Sequence, residues 1–421
     1  MKTTNFKPSE VGPIPEEWEV KALGEVGVFS KGLGVSRSES NSGALPCVRY
    51  GEIYTDYNDY IKEFRSFISE KVAAGAKLMS PGDILFAGSG ETKEEIGKTV
   101  AFLGGVDRAY CGGDILILSP SRGYDSKFLG YVCNSQPIVA QKASRGQGDA
   151  VVHIRSGSLA EVVIPVPPRP EQEKIAEALS DVDALLAAMT KLIEKKRAIK
   201  QGAMQQLLTG KKRLAGFTGK WVEKRLGDCA LIKARIGWQG LTTAEYLKNG
   251  PYYLITGSDF NDGRINWSQC YFVDKARYDQ DKYIQIKKDD VLVSKDGTIG
   301  KVAFLDDVPG EGTLNSGVFV IRSTDKMIDQ PYLAWVFLSR WFDDFIDRLV
   351  AGSTIVHLYQ KDIVGFEFPV PPTFAEQKAI AAVLSDMDAE IASLESKRAK
   401  YESIKQGMMQ ELLTGKTRLV G

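Results

Sequence analysis

One stretch of this chain occurs twice, and that duplication limits the architectures open to it more than any other feature. Leu179–Leu214 aligns without gaps on Leu384–Leu419, with about 20 of 36 positions identical, far beyond chance for two helical segments. Upstream, Ile-Pro-Val-Pro-Pro ending at Pro168 matches Phe-Pro-Val-Pro-Pro ending at Pro372. Each is followed shortly by Glu-Gln, at Glu171-Gln172 and Glu376-Gln377. The longer segments before these blocks correspond more weakly. Trp18 with Leu23-Gly24-Glu25 echoes Trp221 with Leu226-Gly227-Asp228, Gly82-Asp83-Ile84-Leu85 echoes Asp289-Asp290-Val291-Leu292, and Val152-His153-Ile154 echoes Val356-His357-Leu358. The pattern predicts a large domain over 1–165, a helical block over 166–214, a second large domain over 215–368 and a second helical block over 369–421.

The helical blocks carry apolar residues at alternating three and four spacings. They fall at Ile175, Leu179, Val182, Leu186, Met189, Ile193 and Leu207 in the first, and at Ile380, Leu384, Met387, Ile391, Leu394, Tyr401, Met408 and Leu412 in the second. That is the seam of a coiled coil. Pro167-Pro168 and Gly210 punctuate one helix, Pro371-Pro372 and Gly415 the other. A helix from Pro170 to Leu208 would be about 58 Å long at 1.5 Å per residue, a rod rather than part of one compact domain. The first rod leads away from the first large domain, so a second rod of equal length can pair with it only by running back. Acidic residues crowd the start of the first rod and basic ones its end, with the same polarity in the second. This charge gradient fits complementation of the helix dipole, and equally an antiparallel pair in which the acidic start of each rod meets the basic end of the other. Gly202 and Gly407 sit where a helix interior favours Ala by about 1 kcal/mol, which a kink or a close crossing would explain. Lys196, Lys200, Arg398 and Lys405 interrupt the seam, either as side chains reaching past its edge or as a face open to partners.

Enzyme signatures are missing. In Gly90-Glu91-Thr92-Lys93-Glu94-Glu95-Ile96-Gly97-Lys98-Thr99 a phosphate loop would need Gly at position 92, and Glu91, Glu94 and Glu95 would repel phosphate. No Asn-Pro-Pro-Tyr or Asp-Pro-Pro-Tyr occurs. The i, i+2 spacing of Asp181/Asp183 and Asp386/Asp388 puts each pair on different helix faces. His153 and His357 are the only histidines, one per copy, so no His-rich metal site can form within a copy. Five cysteines without a CxxC spacing signal neither a disulfide framework nor a zinc cage, and fit a reducing cytoplasm. The first residues lack the apolar run of a signal peptide and no stretch of about 18 apolar residues occurs, which argues against secretion and membrane spanning.

The block Pro-Pro, then Glu-Gln, then a heptad helix ending Lys-Gln-x-x-x-Gln-x-Leu-Leu-Thr-Gly, present twice and each time after a Trp-to-Pro-Val-Pro-Pro globular segment, resembles the specificity subunit of type I restriction-modification systems. Asp83-Ile84-Leu85 and Asp290 to Val302 are similar to that family's target-recognition domains. The resemblance covers essentially the whole chain. It implies an α+β fold with two globular target-recognition domains related by a pseudo-twofold and separated by two long antiparallel coiled-coil helices. It also implies a non-catalytic reader of double-stranded DNA, each domain reading one half of a bipartite asymmetric target while the paired helices set the gap. Two modification (methyltransferase) subunits would dock on the helices and bring S-adenosylmethionine. Restriction subunits would use ATP and Mg, and this chain would bind no cofactor or metal itself. The alternatives are a coiled-coil scaffold without sequence-specific DNA binding, and an enzyme with an unrecognised site.

Base readout calls for Arg, Lys, amides and hydroxyls on loops reaching a groove. In the first domain such residues are Lys31, Arg37, Arg49, Tyr50, Tyr54, Ser89, Thr92, Lys93, Arg145 and Gln147; in the second they are Lys233, Arg235, Thr256, Ser258, Lys295, Thr298 and Ser353. The same Gly-, Ser- and Thr-rich loops also serve simply as turns, and Tyr50 and Tyr54 equally suit a core. The formal net charge is zero and each large domain holds two more acidic than basic side chains. Since non-specific DNA affinity comes from neutralising phosphates, this balance predicts weak DNA binding by the chain alone and tight binding only with partner subunits.

Overall fold

The computed structural model describes residues 5–237, 240–324, 326, 328–351 and 357–419. The chain forms two compact units, residues 1–190 with 396–421 and residues 191–395. The first unit contains β1 (Gly27–Lys31), β2 (Leu45–Val48), β3 (Ser66–Ile68), β4 (Lys77–Met79), β5 (Ile84–Ala87), β6 (Ser89–Gly90), β7 (Thr99–Ala101), β8 (Ala109–Cys111), β9 (Ile115–Pro120), α1 (Ser126–Cys133), α2 (Gln136–Arg145) and β10 (Val152–His153). Helix α3 (Arg169–Leu207) then passes into the second unit. That unit holds β11 (Ala230–Ala234), β12 (Tyr252–Ile255), β13 (Tyr271–Val273), β14 (Val291–Ser294), β15 (Val302–Phe304), β16 (Gly312–Leu314), β17 (Val318–Ser323), α4 (Gln330–Phe337) and α5 (Arg340–Ala351), followed by α6 (Phe374–Leu412), whose last part returns to the first unit.

The two units repeat one topology. An antiparallel sheet runs β7-β5-β9-β1 in the first and β15-β14-β17-β11 in the second. A second sheet, β3-β2-β8-β4 or β13-β12-β16, contains one parallel pair in each case, β2 with β8 and β12 with β16. The central strands are continuous apolar runs because both their faces are covered. Ile84, Phe86, Leu116 and Leu118 enter one core while Leu85, Ala87, Ile115 and Ile117 enter the other. Val291, Val293, Phe319 and Ile321 part from Leu292, Val318 and Val320 in the same way. The period-two geometry of a strand sorts them.

Within each unit the start of one long helix packs against the end of the other, so the helices are antiparallel. Ile175, Leu179, Leu412 and Met408 share the first core, and Leu207, Ile380 and Leu384 the second. Val182, Leu186, Met387, Leu394 and Tyr401 are half-buried, and Met189, Ile193 and Ile391 are buried. Most seam interruptions meet a carboxylate: Lys196 meets Glu390 at 2.7 Å, Lys200 meets Asp388, and Lys405 meets Asp183 at 2.8 Å. Both helices run unbroken through Gly202 and Gly407, and an added Cβ would meet nothing within 4 Å, so no close crossing requires either glycine.

The repeated Glu-Gln has a structural meaning. Glu171, 2% exposed, accepts two bonds from Arg418 at 2.7 and 2.8 Å and one from the Trp18 indole N–H at 3.0 Å. In the other unit the fully buried Glu376 is held by Arg213, which stacks on Trp221. Gln172 accepts from the Asp125 N–H and donates to the Pro167 carbonyl, both at 2.9 Å. Gln377 makes the equivalent bonds with Asp329 and Pro371. Because Asp125 and Asp329 cap α1 and α4, the amides pin each rod to a domain helix.

All five cysteines are free and buried, and no helix among the described residues is long and apolar enough to cross a membrane. The ammonium of Lys142, 1% exposed, donates to the Gly97 carbonyl at 2.6 Å and the Thr99 hydroxyl at 3.1 Å, and burial pulls its pKa down from 10.5 to about 8. Between those values the unfolded chain holds a proton that the folded one lacks, so stability rises with pH by about 1.4 kcal/mol per unit. Urea unfolding at pH 8 and pH 10 should show the wild type gaining on Lys142→Met; a difference that stays constant would refute this assignment.

Candidate nucleic-acid interface

In the first unit the sequence-selected residues converge at the end of β5. After Gly88, β6 pairs antiparallel with β10, setting His153 opposite Ser89 and Val152 opposite Gly90. Gln147 exchanges both backbone bonds with His153, at 2.9 and 2.8 Å. Directly opposed residues project from the same face of a ladder, so Ser89, His153 and Gln147 stand in a row. Ser89, 5% exposed, has its Oγ 2.9 Å from His153 Nδ1, so it holds the exposed imidazole rather than facing solvent itself. Gly148 makes the turn behind Gln147 at φ +110°, where a Cβ would come within 2.2 Å of the Val151 carbonyl oxygen. Ser89, Gln147 and His153 line a hollow of about 540 Å³ with Lys31, Arg145 and Arg155, against one carboxylate, Asp114. The hollow is therefore locally cationic within an acidic domain. Arg145 is partly engaged, donating to the Gln141 carbonyl at 3.0 Å.

Of the remaining candidates of this unit, Tyr54 supports the row and the others make no contact with it that the structure describes. Tyr54 donates its hydroxyl to the Ser89 carbonyl at 3.1 Å, a supporting contact. Arg49 is occupied by Glu52, 2.9 Å away and 4% exposed, and the same carboxylate caps the turn at Arg49 N–H. Tyr50 on that turn is 42% exposed. Arg37 is exposed in a short 3-10 turn, and Thr92 and Lys93 lie on the exposed first part, 91–95, of the 91–97 turn. That turn leads from strand to strand, without the helix a phosphate loop requires.

The second unit builds the same place with other side chains. Asp296 pairs with His357 across an antiparallel bridge, and His357 Nδ1 lies 2.6 Å from Asp296 Oδ1. Counted from the β5 and β14 starts, Asp296 occupies the position of Ser89. The turn at Thr256–Asp259 repeats the turn at Arg49–Glu52, with Asp259 accepting from the Thr256 N–H at 2.7 Å. It packs beside Asp296: a Cβ on Gly257 would lie 3.8 Å from the Asp296 carbonyl oxygen. Ser258 and Thr298 are exposed. Lys295 and Lys233 lie over the rings of Phe319 and Tyr283, at 5.5 and 5.6 Å.

Two of the sequence candidates are structural. Arg235 is 1% exposed and donates to the Leu314 carbonyl, the Thr313 hydroxyl and Gln280. Burial and the nearby Arg277 lower its pKa. It ties β11 to β16 and has no face to offer DNA. Thr256 is 7% exposed and spends its hydroxyl on Asp259 and Ser258. Ser353 lies outside the described residues. Sequence reasoning left out Arg155 and both histidines, although the echo of Val152-His153-Ile154 in Val356-His357-Leu358 was the signal for the latter.

The constellation is thus the same twice in framework and different in chemistry. Among proteins of assigned role, the chain is 28% identical over 433 residues to the putative type I restriction enzyme MjaX specificity subunit of Methanocaldococcus jannaschii, covering 99% of this chain and 98% of that one. It is 24% identical over 437 residues to the MjaVIII specificity subunit of the same organism, covering 99% and 97%. Among solved structures, the type I restriction-modification system S subunit from M. genitalium superposes with a TM-score of 0.63 at 16% identity, covering 98% of this chain and 97% of that one, a likeness of fold. The family model described as type I restriction modification DNA specificity domain matches residues 15–200 and again 218–405. With both halves matched and each built on the same two-sheet framework, the chain belongs to the type I restriction-modification DNA specificity family.

Proposed function

We propose that each large domain reads one half of a bipartite double-stranded DNA target around its exposed histidine, whose ring is held by the ladder partner opposite it, and that the antiparallel helices set the gap. The observation that carries this is the pairing of Ser89 with His153 and of Asp296 with His357. One frame holds different donors and acceptors, which is what two unlike half-sites require. Lys31, Arg145 and Arg155 supply cationic contacts to phosphate beside the first row. In this reading the chain is a non-catalytic reader. Two modification subunits would supply S-adenosylmethionine, and restriction subunits ATP and Mg. Because the domains are slightly acidic as wholes, partner subunits complete the grip on the duplex.

The test mixes the chain with its modification subunit and random-sequence DNA, and sequences the methylated fragments. A bipartite motif is expected. Replacing Ser89 and His153 together by Ala should relax or change one half-site and weaken that target by about 1–3 kcal/mol per lost base contact, leaving the other half intact. A scaffold would enrich no motif, and a variant that alters neither half-site would remove this row from the reading surface.

A further inference from the structure

Each unit carries a second charged constellation, remote in sequence from the reading row, that joins both long helices to the large domain. In the first unit the Lys405 ammonium of α6 lies 2.8 Å from Asp183 of α3 and 2.8 Å from Asp59 of the domain. Tyr131 donates to the other oxygen of Asp183 at 2.6 Å, and Asn134 to the other oxygen of Asp59 at 3.0 Å. Lys405, Asp183 and Asp59 have side-chain exposures of only 12%, 10% and 8% and help to line a hollow of about 650 Å³.

The second unit presents the same rod pair with a different plug. The gapless repeat sets Asp388 in the place of Asp183 and Lys200 in that of Lys405. Lys200 and Asp388 pair, but the domain contributes a cation, Arg264, whose Nη2 lies 3.0 Å from Asp388 Oδ2. Trp335 lies beneath the Lys200 ammonium, 5.6 Å away, and donates its indole N–H to Ser385 at 3.1 Å. The rods thus offer one Lys–Asp socket twice. The first domain engages its cationic half with Asp59, the second its anionic half with Arg264.

Burial opposes charge in both sockets, and the partners overcome it. Burial alone would lower the pKa of Lys405, yet Asp59 and Asp183 hold it above its ordinary value. Burial would raise that of Asp388, yet its bonds to Lys200 and Arg264 bring it below. Apolar packing of a domain on a helix is non-directional, whereas Asp59 and Arg264 each make a short charged bond to a residue of α6 that is itself paired with α3, and such directional bonds favour one orientation.

We infer that Asp59 and Arg264 are positioning residues, which fix the angle at which each domain sits on the rods and thereby the gap that the molecule accepts. The inference rests on the DNA-reading function proposed above. Its test uses the complex with the modification subunit and duplexes carrying the wild-type half-sites at the native gap, one base pair shorter and one longer. The readout is the methylation rate. One base pair turns the second half-site by about a tenth of a helical turn. Asp59→Asn should cut the preference for the native gap about tenfold with both half-sites unchanged, and Arg264→Met, at a half-exposed side chain, should do the same. Asp59→Gly combined with Tyr60→Arg and Tyr131→Trp copies the second arrangement, because Ala101 N–H bonds to the Asp59 carbonyl as Phe304 N–H does to that of Gly263, and should restore discrimination. Variants that melt earlier yet keep the wild-type gap preference would reduce both residues to a stabilising role and overturn the inference. A wild-type complex that methylates no bipartite sequence would instead sink the DNA reading itself.

Discussion

Glu376→Ala is expected to lower the unfolding free energy of its unit by about 3–5 kcal/mol, the usual cost of removing one partner from a buried pair. Glu376 is fully buried and Arg213 grips both its oxygens, with carbonyls of Thr218 and Gly219 and the Trp221 ring completing the guanidinium's surroundings. Deleting the carboxylate leaves that cation enclosed without its counter-charge. Glu171→Ala leaves Arg418 with only the exposed Glu17, 2.9 Å away, and also leaves the buried Trp18 N–H without its acceptor, a lost bond that costs about 1–3 kcal/mol. Glu→Gln at either position keeps the shape and isolates the charge. Urea unfolding of the four variants checks this; losses below about 1 kcal/mol, the range of surface ion pairs, would show that the clamps are not the joints they resemble.

Those clamps show what the sequence exposes and what it hides. The repeat, the heptads and the opposed charge gradients are local periodicities, so the long helices, their antiparallel sense and the duplicated plan were legible, and Arg213–Glu376 and Arg418–Glu171 are the predicted meeting of basic ends with acidic starts. The role of the Gln in Glu-Gln was not legible, because Gln172 and Gln377 accept from the backbone of Asp125 and Asp329, 47 and 48 positions away. The same reason governs the reading row. Ser89 and Gln147 were picked for their chemistry, but a ladder between distant strands places His153 between them. Arg235 shows the converse: just after β11 it reads as a surface cation, and only the fold reveals three internal acceptors. The turns at Arg49–Glu52 and Thr256–Asp259 share no sequence beyond their final acid, and backbone geometry alone aligns them.

Removing four residues from the middle of each long helix should abolish methylation of targets with the native gap, by more than about 100-fold, and create activity on targets with a shorter gap and the same two half-sites. Four residues shorten a helix by about 6 Å, close to two base-pair steps of about 3.4 Å. Because four residues are nearly a whole turn, the apolar seam stays close to register. Both helices must be cut together, for a cut in one alone would slide Lys196 and Lys200 off Glu390 and Asp388 and break the pairing rather than shorten it. The half-sites should survive because the rows proposed to read them are built entirely from strands and turns of the large domains. Sequencing of methylated random DNA with wild-type and shortened chains reads both properties at once. Altered half-sites would mean that the helices shape the reading surfaces, and an unaltered gap would mean that something other than helix length sets it.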